Sequence, residues 1–107
     1  MTFVEQRKHE RVPVDLHVRW GWTEDCPFEG RIISLSEGGY FLRTERGGAR
    51  GRPVFIRFWR PEERTLGGEV RYHLERWGMG VEFKRLSREE TANLTTLVEH
   101  YRESSRQ

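Results

Sequence analysis

The stretch Val12-Pro13-Val14-Asp15-Leu16-His17-Val18-Arg19-Trp20-Gly21-Trp22 decides the fold. Valine, leucine or tryptophan stands at every even position, while Pro13, Asp15, His17, Arg19 and Gly21 fall between them. This is the period-two pattern of a strand with one face in a core and the other in water. A single such strand cannot hold itself, so neighbours must be found that bury the same face.

They follow in order. Thr23 to Pro27 reads as a turn and Phe28 to Ile33 as a second strand. Ser34 to Gly39 then breaks the pattern with Ser, Glu and two glycines, and Tyr40 to Arg43 reads as a short third strand. A Gly- and Arg-rich loop, Thr44 to Pro53, leads to a fourth strand in which Val54, Ile56 and Phe58 point one way and Phe55, Arg57 and Trp59 the other. Pro61 to Arg64 reads as a turn. Leu66 to His73 is a fifth strand with Val70 and Tyr72 on one face, and Gly78 to Phe83 is a sixth with Met79, Val81 and Phe83 in alternation. Gly47-Gly48 and Gly67-Gly68 read as hairpin turns, since neither precedes a helix signal. Short, evenly spaced strands of this kind predict a mainly β chain closed as a small six-stranded antiparallel barrel.

The last segment changes period. Ser87 with Glu90 makes a capping box, and Leu94, Leu97, Val98 and Tyr101 recur at the spacing of one helical face, predicting a C-terminal α-helix that ends near Arg102. Its apolar stripe must be buried on its own barrel or on another protein. With 107 residues, 35% hydrophobic, the chain has room for one core. It divides into an arm over 1–11, a barrel over 12–86 and a helix over 87–104.

Composition narrows the function. Nineteen basic residues nearly cancel seventeen acidic ones, but seventeen of the basic ones are arginine. A guanidinium is a rigid fork of donors suited to phosphate oxygens or to the O6 and N7 of guanine. Cys26 is the sole cysteine, which excludes an intrachain disulfide, a thiolate metal site and a CxxC pair, and fits a reducing cytosol. The N-terminus lacks an apolar leader and no apolar run nears the roughly 20 residues of a membrane span, so a cytoplasmic chain without membrane insertion is expected. His9, His17, His73 and His100 lack metal-ligand spacing. No nucleophile with a paired base and no carboxylate dyad can be assembled, so neither catalytic residues nor a cofactor is expected.

Two motifs remain. Arg7-Lys8-His9-Glu10-Arg11 sets two arginines four apart just before the first strand, and Ser34-Leu35-Ser36-Glu37-Gly38-Gly39 lies between the second and third. In that order, with the alternating strand, the Gly78-to-Phe83 strand and the final helix, the chain resembles the PilZ family. That family pairs RxxxR with [D/N]xSxxG to hold cyclic di-GMP. The resemblance implies a ligand site of Arg7, Arg11, Ser34, Ser36 and Gly39, and a regulatory domain that signals to a protein partner. Ser34 departs from the pattern where Asp or Asn is usual. A hydroxyl is shorter and lacks a carbonyl-type acceptor. The departure motivates an alternative, a PilZ-like interaction module without the nucleotide that acts in motility, polarity or envelope regulation. A third reading, single-stranded nucleic acid on the outward aromatics Phe55 and Trp59, is the less expected. Trp20, Trp22 and Trp77 are read as core, in keeping with aromatics that alternate with aliphatics.

Overall fold

In the computed structural model, which describes residues 10–59 and 63–105, the alternating segment is strand β1 (Val12–Gly21). Val12, Val18 and Trp20 are buried, and Val14, Leu16 and Trp22 pack half-buried against the same core. Strands β2 (Phe28–Leu35), β3 (Gly39–Arg43), β4 (Pro53–Phe58), β5 (Arg64–Leu74) and β6 (Gly78–Phe83) follow. They close into an antiparallel barrel in the order β1-β2-β3-β6-β5-β4, and β4 returns to β1 through the pairs Arg19–Arg57, Trp20–Ile56 and Gly21–Phe55. The expected six-stranded barrel is therefore the observed one. Closure leaves none of these strands with an open edge.

The even positions of β1 meet inward residues of every other strand. Trp20, Ile32, Leu35, Leu42, Val54, Ile56 and Met79 are wholly inaccessible. Burying each large side chain contributes about 1.5–3 kcal/mol relative to exposure. Trp20 is wedged edge-on to Trp22 at 5.1 Å between ring centres and lies 5.0 Å from Phe28. Of the other tryptophans, Trp77 is exposed rather than core, since it sits in the turn between β5 and β6, while Trp59, just after β4, is exposed in keeping with its outward position.

Helix α1 (Arg88–Ser105) runs three residues beyond the expected stop at Arg102. Its capping box is formed in both directions: Glu90 N donates to Ser87 Oγ at 3.0 Å, and Ser87 N donates to Glu90 Oε1 at 2.8 Å. Leu94, Leu97 and Val98 are buried in the barrel's own core cluster with Tyr101 packed beside them, so the stripe is covered within the chain. Ser87→Ala is expected to cost about 1 kcal/mol. Urea denaturation should show a lower midpoint with an unchanged slope.

Three local expectations are corrected. Gly67-Gly68 lies inside β5, paired with Phe55 and Val54 of β4, and is not a turn. Gly47-Gly48 lies between β3 and β4, which are not neighbours in the barrel, so it joins no hairpin. Tyr72 does not share a face with Val70. Val70 pairs with Val81 and Tyr72 with Gly80, so Arg71 is one extra residue in β5. A single inserted residue reverses the facing of all that follows it. Val70 stays in the core at 1% exposure, while Tyr72 turns outward at 40%.

Candidate functional site

The turn between β2 and β3 is built by its own serine. Ser36 is buried, and its Oγ accepts from Gly38 N at 3.1 Å and Gly39 N at 3.2 Å. The backbone closes the same loop through Ser36 N to Gly39 O at 2.9 Å. Such a side-chain-to-backbone turn is a common use of serine. The turn is fastened to β6 by Phe83 N donating to Gly38 O at 2.9 Å.

Gly39, the last residue of this turn, lies against β6 so closely that a Cβ would sit 2.1 Å from the Val81 carbonyl oxygen. Only glycine permits that approach.

Against this turn the barrel wall forms a hollow of about 350 Å³. Arg11 reaches it from just before β1, Ser36, Gly38 and Gly39 from the turn, Arg50 from the β3–β4 loop, Arg71 and Tyr72 from β5, and Gly80, Val81 and Glu82 from β6. The size suits a small-molecule ligand, for which roughly 300–1,000 Å³ is usual.

Each contributor outside the two motifs is placed by a tertiary device. The bulge at Arg71 swings Tyr72 outward. Its ring lies on Gly80, where a Cβ would fall 2.3 Å from ring atoms. Arg50 is delivered by a turn that ends with Arg52 N donating to Ala49 O at 3.0 Å. That turn is held to β5 by Gly51 N to Val70 O at 2.8 Å and Val70 N to Arg52 O at 3.0 Å.

The hollow has cationic walls with one acid among them. Glu82 Oε1 accepts from Arg71 Nη1 at 2.8 Å and pairs with Lys84 Nζ at 3.2 Å. The hydrogen bond from Arg71, then that from Lys84, holds its carboxyl below the usual range. The stability carried by this pair is present above the unfolded carboxylate pKa and is lost as pH falls through the depressed one. Exposure keeps it small.

The end of the arm is tied to the far helix. Glu10 Oε1 pairs at 3.3 Å with Nε of Arg102, whose side chain is 15% exposed. Arg11 is the next residue.

Of the residues expected from sequence, Arg11, Ser36 and Gly39 come together around one hollow. Arg7 lies outside the described residues. Ser34 is half-buried within β2 rather than in the turn, opposite Pro13 of β1 and Phe41 of β3, and is not part of the hollow's lining. Ser36 contributes through the turn it shapes. Arg50, Arg71, Tyr72, Gly80 and Glu82 were not foreseen. Arg50 stood in a segment already notable for Gly and Arg, but nothing local marked the other four.

Among the described residues no cluster of three His, Cys, Asp or Glu is placed to hold a metal ion, and no helix is long and apolar enough to cross a membrane. Cys26 is buried and free, and burial pushes its thiol up from the ordinary value despite nearby Arg57 and Arg19. That is the setting of a structural rather than a reactive thiol.

Comparison with known proteins bears on this geometry. The inhibitor of motility MotI/DgrA of Bacillus subtilis superposes with a TM-score of 0.77 at 16% identity, over 97% of this chain and 54% of that one. The PilZ domain of YcgR from Escherichia coli, solved with c-di-GMP, gives 0.73 at 14% identity over 95% of both chains. The c-di-GMP complex of MrkH from K. pneumonia gives 0.75 at 15% identity, over 96% of this chain and 56% of that one. This chain thus spans about half the length of the Bacillus and Klebsiella proteins. At these identities the likeness is one of fold. No curated protein sequence matches. The family model for the PilZ domain matches residues 5–100, nearly the whole length, and the chain belongs to that family.

Proposed function

We propose that this domain is a receptor for cyclic di-GMP that passes its state to a protein partner. The observation that carries the reading is the hollow in which Arg11, Arg50 and Arg71 converge beside the Ser36–Gly39 turn, with the Tyr72 ring close against Gly80. Cyclic di-GMP offers two phosphates and two guanines. Guanidinium forks match both the phosphate oxygens and the O6/N7 edge, and an exposed phenol ring is a stacking surface for a base. The solved PilZ domain of YcgR and the MrkH complex hold the same ligand on the same fold, which supports the assignment.

Signalling would follow from the arm. A ligand gripped by Arg11 bridges the arm and the barrel, and Glu10 links that arm to α1 through Arg102. A ligand seated between these parts changes the surface a partner meets.

The second reading, an interaction module without the nucleotide, is favoured by two observations: Ser34 stands off the hollow, and Ser36 is engaged in its turn. The nucleic-acid reading gains no such support. Trp59 borders Leu16, Leu97 and Tyr101, while Phe55 lies in a separate hollow where Glu24, Glu69 and Glu90 outnumber Lys84 and Arg85, so the two aromatics share no basic groove that could track a phosphate backbone.

Calorimetric titration with cyclic di-GMP decides between the first two. Saturable binding is the expected result, and a flat isotherm would leave the interaction module. Gly80→Ala is expected to displace the Tyr72 ring and weaken binding by about 1–3 kcal/mol, the worth of one stacked base. Tyr72→Ala should match it, and the thermal midpoint should move little in either, because a side chain rather than the backbone gives way.

A further inference from the structure

We infer that Glu82 is the residue that makes the hollow read guanine rather than adenine, by accepting from the N1–H and the exocyclic N2 amine of a bound base. The inference rests on the cyclic dinucleotide reading above.

Glu82 is the one carboxylate lining the hollow among the described residues. As a phosphate ligand it would be counterproductive, since like charges repel. Its charge suits a different part of the ligand. The Watson–Crick edge of guanine carries two adjacent donors, and a carboxylate is acceptor-only when ionised. Adenine turns a lone pair at N1 towards the same place, so the carboxylate discriminates by repulsion as well as by attraction.

The geometry leaves Glu82 able to do this. Its ion pairs with Arg71 and Lys84 are both made through Oε1, on one side of the carboxylate. Gly80, which carries the Tyr72 ring, is two residues away on β6 and therefore on the same face, one strand step of roughly 6–7 Å apart. A base laid on that ring turns an edge towards Glu82. Ser34, the motif position from which an acceptor would be expected, stands off the hollow on β2 and does not compete for the role. Arg71 and Lys84 hold the carboxyl ionised through the neutral range.

The test measures affinities of cyclic di-GMP, cyclic di-IMP, which lacks only the N2 amines, and cyclic di-AMP. Each is titrated against the wild-type chain, Glu82→Gln, Glu82→Ala and Lys84→Met. The wild type should prefer cyclic di-GMP over both others on the order of ten- to a hundred-fold, the range for a hydrogen bond to a charged group. That preference should collapse towards one in Glu82→Ala, shrink in Glu82→Gln and survive in Lys84→Met, which removes a partner of the carboxylate but not the acceptor. Glu82 variants that weaken all three ligands alike, or keep the wild-type preference, would assign the residue to ion pairing with Arg71 and overturn the inference while leaving the receptor intact. A wild type that binds none of the three removes the receptor reading and this inference with it.

Discussion

Gly39→Ala is expected to lower the stability of the domain by about 3 kcal/mol, at the upper end for overpacking, and its melting temperature by roughly 10–20 °C. The reason is the identity of the obstructing atom. The new Cβ would lie 2.1 Å from the Val81 carbonyl oxygen, with Glu82 Cα and the Val81 carbonyl carbon each at 3.2 Å, all of them backbone. No rotamer change relieves such a clash. Strands β3 and β6 must separate where Gly39 pairs with Glu82. The Ser36 hydroxyl then loses its hold on Gly38 and Gly39, and Phe83 N its carbonyl partner at Gly38. Ligand binding should fall with stability, because the same shift opens one wall of the hollow. A stability change below about 0.5 kcal/mol, ordinary for a surface substitution, would show that these strands part freely and that the close approach is unimportant.

Arg11→Ala should act in the opposite sense, with little effect on stability and a large one on binding. Arg11 is exposed and precedes the first strand, so its removal should stay within about 0.5 kcal/mol in denaturant unfolding. In the hollow it supplies a fork of donors from the arm. Loss of one or two charge-assisted hydrogen bonds, about 1.5–3 kcal/mol each, predicts a fall in cyclic di-GMP affinity of around a hundred-fold or more. Arg11→Lys should recover only part of this, since an ammonium keeps the charge but not the planar pair of donors. Calorimetry on the three proteins checks the prediction. Equal affinity of wild type and Arg11→Ala would take the arm out of the site and leave Arg50 and Arg71 as the only forks.

The two substitutions differ because the site is assembled from two kinds of part. Gly39 belongs to the barrel ladder, where a backbone contact has no slack. Arg11 sits at the edge of the fold, exposed and outside the core, so its removal tests the proposed ligand contact and not the packing.

Features that depend on near neighbours could be read along the chain alone. The alternation from Val12 to Trp22 required a half-buried strand, the Ser87–Glu90 pair set the start of the helix, and the Leu94, Leu97, Val98, Tyr101 stripe set its inward face. Arg11, Ser36 and Gly39 were legible because their motifs are short and their order along the chain is characteristic. The tertiary structure alone decided the rest. A bulge is invisible in composition, since Arg71 becomes an extra residue only when β5 is laid against β6; simple alternation therefore puts Tyr72 on the wrong face. Arg50 and Glu82 enter the hollow through loop anchoring and strand register, which join residues far apart in the chain. Ser34 kept its place in the motif, but its pairing with Pro13 and Phe41 continued β2 through it and held it off the wall. Periodicity reports which way a residue points relative to its neighbours, whereas a binding site depends on which strands finally lie side by side.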